Sequence, residues 1–152
     1  EPRKNLARSI AAAQRLGVEL RVAGAPGWGG VEASGPGVTW LGFASDDELA
    51  RLYRGAACVV YPSLYEGFGI PVLEAMACGT PVVTSRGGST EEVAGGAAVL
   101  VDPEDVASIA AGIEDAIARR DELRAAGLRR ASEYSWDESA RLLVDAYREA
   151  AA

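Results

Sequence analysis

The sequence predicts an α/β domain: a Rossmann-like, doubly wound parallel sheet with helices on both faces and further helices at the carboxyl end. Three observations lead to this fold class. Short β-rich apolar runs alternate with stretches of helical period, which is typical of parallel strands connected by helices. The alternation stops near residue 101, after which the pattern is purely helical. The 152 residues are 49% hydrophobic and carry no long linker, so we expect one domain with one sizeable core.

The individual elements follow from apolar runs and their flanking turn residues. The predicted strands cover residues 19–23, 38–41, 58–61, 81–85 and 98–101. Helices are predicted over residues 5–16, 46–54 and 71–77, with a short turn near 90–94. The Gly/Pro-rich residues 24–37 are expected to form a loop.

The last third of the chain has only helical periodicity. One helix is predicted where Val106, Ile109, Ala110, Ile113 and Ile117 recur at the 3.6-residue period, and a second covers residues 121–133. A third places Trp136, Ala140, Leu143 and Tyr147 on one stripe. Two interpretations of this stripe stay open: the helix docks on this domain, or it reaches toward a second domain.

The amino-terminal residues lead directly into a helix. A doubly wound sheet normally begins with a strand that feeds this helix, and in the usual order 3-2-1-4-5-6 that strand is central. We therefore expect the first strand to be missing from these 152 residues. Its absence would leave two strand edges unpaired.

Composition excludes several classes of function. The chain has 15 basic and 22 acidic residues, and a net charge of −7 argues against binding to nucleic acid or to an anionic membrane. No apolar run approaches the roughly 18 residues of a transmembrane segment. Histidine is absent, which excludes Ser-His-Asp catalysis and histidine-ligated zinc. The acidic stretches 45–48 and 102–105 each precede a predicted helix, so we interpret them as helix caps and predict no metal.

The segment from Tyr61 to Ala77 leaves a strand, crosses a glycine-bearing loop and enters a helix. Gly67 and Gly69 allow backbone torsions and a close ligand approach that a side chain would forbid. Free N–H groups and the helix dipole then favour an anion at this junction. Glu66 in the loop and Glu74 in the helix are expected to border one cleft, where each carboxylate can accept hydrogen bonds from a vicinal diol.

This stretch resembles a known sequence motif. Glu66-Gly-Phe-Gly-Ile-Pro-Val-Leu-Glu74 matches the Glu-x7-Glu motif of the retaining GT-B glycosyltransferases, specifically glycosyltransferase family 4. The likeness continues through residues 75–83 and extends in weaker form over essentially the whole chain. It implies that Glu66 contacts hydroxyls of the donor sugar and that Glu74 contacts the ribose hydroxyls. The loop residues implied to approach the sugar and diphosphate are Gly67, Phe68, Gly69 and Ile70.

Two basic residues form a second constellation. Arg3 and Lys4 precede a helix whose positive end repels cations, which indicates an anion nearby. In the resembled family, an Arg and a Lys at this point hold the donor diphosphate and stabilise the leaving nucleoside diphosphate, so the resemblance makes both catalytic together with Glu66. A weaker match implies that Leu41, Gly42 and Phe43 form the loop that contacts the nucleobase.

The resemblance implies a function for the chain as a whole. Residues 1–152 would be the nucleotide-sugar-binding domain of a hexosyltransferase, truncated at its amino end, with an absent amino-terminal domain that supplies a glycan or lipid-linked acceptor. The family works without a bound metal, so we expect no cofactor beyond the nucleotide-sugar substrate. Within the family, the match over residues 1–5 implies a mannosyl donor. The full-length protein is expected to be cytoplasmic, or peripheral at the inner face of the membrane.

Two other function classes stay open. Nucleotide-sugar 2-epimerases share the GT-B architecture, but they require a histidine and further acid-base carboxylates that the sequence lacks. A non-catalytic module that binds nucleotide sugars would need the same ligand-binding residues. The product separates the three classes: a new glycosidic bond, an epimerised donor, or binding alone.

Overall fold

Parallel sheets and flanking helices confirm the predicted α/β class. The structure is a computed structural model that describes residues 1–24 and 35–151. Strand β1 (Leu20–Ala23) pairs in parallel with β2 (Val38–Gly42). Strands β3 (Val59–Tyr61), β4 (Val82–Ser85) and β5 (Val99–Val101) form a second parallel sheet in that order. Each strand boundary lies within one residue of its prediction, and most of the predicted loop 24–37 lies outside the described residues.

Seven α-helices and one 3₁₀ turn make up the other described elements. The 3₁₀ turn covers Pro2–Lys4. The helices are α1 (Leu6–Leu16), α2 (Asp46–Gly55), α3 (Ile70–Ala77), α4 (Gly88–Ala94), α5 (Val106–Ala118), α6 (Arg120–Ser132) and α7 (Trp136–Ala150). The predicted turn near 90–94 is wrong, because that segment is the helix α4, which begins two residues earlier. Glycine has a low helix propensity, so the two glycines that open this segment conceal the helix from a sequence-based prediction.

The strand pairings agree with two parts of the predicted order. The pair β1-β2 and the run β3-β4-β5 correspond to 3-2 and 4-5-6 in the doubly wound numbering. Among the described strands, β1 pairs only with β2, and β3 pairs only with β4. A first strand between them stays a prediction.

Strand β4 separates two apolar clusters. On one face Val83 packs with Ala12 of α1 and with Ile109 and Ile113 of α5. On the other face Val82 packs with a second cluster, whose buried members include Val72, Ala75, Met76 and Val93 of α3 and α4. Every residue of β4 is buried, as expected for a strand with helices on both faces.

The acidic stretches begin helices, as predicted. Ser45 accepts a hydrogen bond from the Glu48 N–H, and Glu48 reaches back to the Ser45 N–H, which completes a capping box for α2. Asp105 caps α5 by accepting from the Ala107 N–H at 2.8 Å. Such a cap stabilises a helix by roughly 1 kcal/mol. These carboxylates are therefore accounted for by the helices that they start.

Helix α7 does not bury its apolar stripe against the described part of the chain. None of its residues is buried, and the side chains of Trp136, Leu143 and Tyr147 remain largely exposed. The structure thus gives no support to the interpretation that this stripe docks on the domain. Across the described ranges, every helix falls short of the length and apolarity that a membrane span requires.

We predict that Gly112→Ala lowers the free energy of unfolding by about 1–3 kcal/mol. A Cβ at this position of α5 would lie 2.3 Å from Val101 Cγ1 and 3.1 Å from Val83 Cγ1, within the first cluster. The gain in helix propensity, roughly 1 kcal/mol, does not offset that overlap. Urea unfolding measures the change, and Gly55→Ala is the matched control because a Cβ there meets nothing within 4 Å. A Gly112→Ala variant as stable as the parent would contradict the described packing.

Candidate functional site

The loop between β3 and α3 is held by buried backbone contacts. Pro62 and Ser63 are buried directly after β3. The Thr84 and Ser85 hydroxyls of β4 donate to the Tyr61 and Ser63 carbonyls at 3.0 and 2.5 Å. These bonds extend the attachment of β3 to β4 into the loop. The loop therefore presents its following residues from a fixed base.

Gly69 ends this loop in a conformation that suits only glycine. Its φ is 109°, and a Cβ there would lie 3.2 Å from Thr90 Cγ2. Helix α3 begins at the next residue, with Pro71 in its first turn and no side-chain cap on its N–H groups. The prediction for Gly67 is wrong in part, because its φ is not in the left-handed region and a Cβ would meet nothing within 4 Å. The backbone therefore requires glycine at position 69. At position 67, only the predicted close approach of a ligand still calls for glycine.

The amino-terminal 3₁₀ turn is fastened to the same loop. Asn5 is buried with φ 57°, and its Nδ2 donates to the Pro62 carbonyl at 2.9 Å and to the Pro103 carbonyl at 2.6 Å. The Leu64 N–H donates to the Arg3 carbonyl at 2.8 Å. Three backbone positions far apart in sequence are thereby joined. The side chains of Arg3 and Lys4 are brought to the loop as a result.

Glu66 is the centre of a compact charged group. Arg3 Nη1 lies 2.6 Å from Glu66 Oε2, and Lys4 Nζ lies 2.7 Å from Glu66 Oε1. The Tyr61 hydroxyl donates to Glu66 Oε1 at 2.7 Å and accepts a hydrogen bond from Lys4. The Glu66 side chain is only 9% exposed, against 41% for Arg3 and 35% for Lys4. The structure thus brings the three predicted catalytic residues together.

The surroundings of Glu66 determine its charge. Burial raises the pKa of its carboxyl group, but hydrogen bonds from Lys4, Tyr61 and Arg3, together with the nearby Ser63 hydroxyl, outweigh burial and lower the pKa to about 2. The Ser63 hydroxyl is buried and lies outside hydrogen-bond geometry to any acceptor in the described residues. Burial lowers the pKa of Lys4, but its bonds to Glu66 and Tyr61 produce a net rise. At neutral pH the group therefore contains two cations and one carboxylate.

Glu74 belongs to a separate hydrogen-bonded pair. It is exposed on α3, where its Oε2 accepts from the Tyr53 hydroxyl of α2 at 3.1 Å. Within the described residues, no hydrogen bond connects Glu74 with the Glu66 group. The two carboxylates are thus held by different neighbours, and each has its own tyrosine.

The remaining predicted residues lie at the end of β2 and directly after it, in the β3–α3 loop, and at the start of α3. Gly42 ends β2 with φ 71°, and its carbonyl accepts from the Gly24 N–H at 2.7 Å. Phe43 is 84% exposed beside the less exposed Leu41. Phe68 packs edge-on against Tyr134 with ring centroids 5.9 Å apart. The side chain of Ile70 is 45% exposed. In the described ranges these residues share no side-chain hydrogen bond with Glu66 or Glu74.

Sequence reasoning overlooked three contributors to this site. Tyr61 stands at the start of the quoted segment, where its position at a strand end was an available signal. Tyr53 and Asn5 had no such signal, because each acts on a residue that only the tertiary fold brings near.

Comparison with known proteins agrees with this architecture. A solved sucrose-phosphate synthase from Thermosynechococcus elongatus superposes with a TM-score of 0.85 at 28% identity, covering 100% of this chain and 44% of that one. Anabaena HepE, solved in complex with UDP-glucose, superposes with a TM-score of 0.72 at 22% identity, covering 87% of this chain and 40% of that one. The fold is that of a GT-B-type glycosyltransferase domain.

The family follows from sequence comparison. The chain belongs to the glycosyl transferases group 1 family, whose profile matches residues 1–133. The O-antigen chain mannosyltransferase B of Escherichia coli is 38% identical over 97% of this chain and 43% of its own length. The chain spans less than half the length of these relatives.

We predict that the stabilising contribution of Glu66 is lost in acid. Because its folded-state pKa of about 2 lies below the ordinary 4.5, this contribution is complete above pH 4.5 and disappears as pH falls through 2. The difference in unfolding free energy between the parent and Glu66→Gln should therefore shrink over that range, as measured by urea unfolding at several pH values. The control Glu122→Gln alters an ion-paired carboxylate whose side chain is 64% exposed, and it should change stability little at any pH. A difference for Glu66→Gln that does not vary with pH would contradict the described ion pairs.

Proposed function

We propose that the chain is the donor-binding half of a retaining glycosyltransferase of family 4, which transfers a hexose from a nucleotide-diphosphate sugar to an acceptor hydroxyl. The observation that carries this proposal is the convergence of Arg3, Lys4 and Glu66 beside the uncapped amino end of α3. Two cations and the positive end of the α3 dipole suit a diphosphate, and the carboxylate suits sugar hydroxyls.

The charge of the site supports a role in leaving-group stabilisation. As the bond between the anomeric carbon and the diphosphate oxygen breaks, negative charge grows on the departing nucleoside diphosphate. Arg3 and Lys4 would take up this charge, because they are fixed beside the loop before the donor arrives. The acceptor oxygen bonds to the anomeric carbon on the same face, and its proton passes to the departing diphosphate.

The arrangement also implies an exchange of partners on donor binding. Glu66 pairs with both cations, and Glu1 pairs with the second guanidinium nitrogen of Arg3. A diphosphate would replace the carboxylate at Arg3 and Lys4, and hydroxyls of the donor sugar would replace the cations at Glu66. The part-exposed cations favour this exchange because they remain reachable from solvent.

The second carboxylate and the strand-end loop complete the proposed donor site. Glu74 would accept from ribose hydroxyls, and Leu41, Gly42 and Phe43 would contact the nucleobase. A mannosyl donor is favoured by the relative that is a mannosyltransferase, and a nucleotide-sugar ligand is favoured by the HepE complex with UDP-glucose. No metal is proposed, and the acceptor would be supplied from outside these 152 residues.

We predict that a nucleoside diphosphate binds saturably and that Glu74→Ala weakens it about fivefold or more, because each lost hydrogen bond to ribose costs roughly 1 kcal/mol. Isothermal titration with UDP, GDP and their hexose conjugates measures the affinity and names the base. Glu114→Ala removes an exposed glutamate on α5, which carries none of the proposed ligands, and should have no effect. A folded chain that binds none of these nucleotides would refute the donor-site assignment.

We predict a different pattern for Glu66→Ala. Removal of this carboxylate takes one ion-pair partner from both Arg3 and Lys4, although Glu1 still pairs with Arg3, so the nucleoside diphosphate should bind as tightly as before or more tightly. The additional affinity of the hexose conjugate over the bare diphosphate should disappear, because Glu66 is the proposed partner of the sugar hydroxyls. Paired titrations with UDP and UDP-glucose, and with GDP and GDP-mannose, separate the two effects. An unchanged sugar increment would reject this role of Glu66.

A further inference from the structure

Tyr53 is anchored on both its backbone and its ring. Its carbonyl in α2 accepts from the Thr80 hydroxyl at 2.7 Å, and Thr80 is itself buried between α3 and β4. Its ring packs against the second apolar cluster, which α3 shares with β4 and α4. The direction of the phenol is therefore set by the core, and its hydroxyl emerges at the surface beside α3.

The hydroxyl of Tyr53 contacts one oxygen of Glu74. The bond to Oε2 is 3.1 Å, and within the described residues Oε1 has no assigned donor. Burial raises the pKa of the Tyr53 hydroxyl above its ordinary value, and the nearby Glu74 charge raises it further. The tyrosine thus remains a protonated donor at neutral pH, and Glu74 keeps one oxygen for a ligand.

An exposed glutamate needs such a restraint in order to bind precisely. Glu74 has several freely rotating bonds, and ordering them on ligand binding costs conformational entropy. A hydrogen bond from a fixed tyrosine removes part of this cost before the ligand arrives. The other charged group is organised in the same way, since Tyr61 donates to Glu66.

We propose that Tyr53 is a positioning residue, which holds the Glu74 carboxylate in the orientation that accepts the ribose hydroxyls of a nucleoside diphosphate. This inference rests on the proposed function of Glu74. Helix α2 carries none of the residues proposed to contact the nucleotide. Through Tyr53 it would nevertheless contribute to nucleotide affinity.

The test uses Tyr53→Phe, which removes the hydroxyl and keeps the packed ring. Isothermal titration compares UDP and GDP, and the tighter of the two is then compared with its 2′,3′-dideoxy analogue. We expect Tyr53→Phe to weaken the ribonucleotide about three- to tenfold and to leave the dideoxy analogue unchanged. Tyr147→Phe, at an exposed position of α7, is the matched control and should bind both like the parent.

The variants separate failure of this inference from failure of the proposed function. If Glu74→Ala binds the ribonucleotide as the parent does, the ribose role of Glu74 is wrong and the role of Tyr53 falls with it. If Glu74→Ala weakens binding but Tyr53→Phe does not, only the positioning role is overturned. Equal weakening of the ribonucleotide and its dideoxy analogue by Tyr53→Phe would also overturn it, because the hydroxyl would then act on the fold. The double variant Tyr53→Phe/Glu74→Ala should bind no more weakly than Glu74→Ala alone.

Discussion

The attachment of the amino-terminal turn to the β3–α3 loop is the constraint on which the candidate site depends. Asn5 bridges two carbonyls that are otherwise unrelated, and it does so from a left-handed backbone conformation that few residues other than glycine adopt. Asparagine tolerates this backbone conformation, and its side-chain amide donates hydrogen bonds to both carbonyls. Together with the bond from the Leu64 N–H to the Arg3 carbonyl, this bridge holds two cations against a carboxylate more than sixty residues away.

The site is organised by its own charges. A buried carboxylate is costly unless it is paired and hydrogen-bonded, and Glu66 meets both conditions through two cations and a tyrosine. The cations keep their outer sides in contact with solvent. The contacts that neutralise the Glu66 charge are therefore the same contacts that fix the geometry of the site. The proposed ligand would enter a site whose side chains are already ordered.

The fold could be predicted closely from the sequence. For the site, the sequence indicated which residues take part but not how they contact one another. Alternating apolar runs located the five described strands to within a residue, because their period is local. The segment after Arg86 was mistaken for a turn because two glycines open it. Arg3, Lys4 and Glu66 could be named singly, but their direct pairing depends on tertiary contacts through Asn5. The hydroxyls of Tyr53 and Tyr61 could not be assigned to carboxylates because no sequence spacing encodes those distances.

The hydroxyls of β4 hold the loop by its backbone. Thr84 and Ser85 donate to the carbonyls of Tyr61 and Ser63, and every amino acid carries such a carbonyl. The path of residues 61–63 is thus largely independent of which side chains they display. Residues beyond this support, such as Tyr65 and Phe68 on the exposed surface, can diverge among descendants while the backbone beneath them stays in place. Because the residues that support the loop backbone differ from those whose side chains face solvent, surface substitutions alone can give one scaffold new ligand preferences.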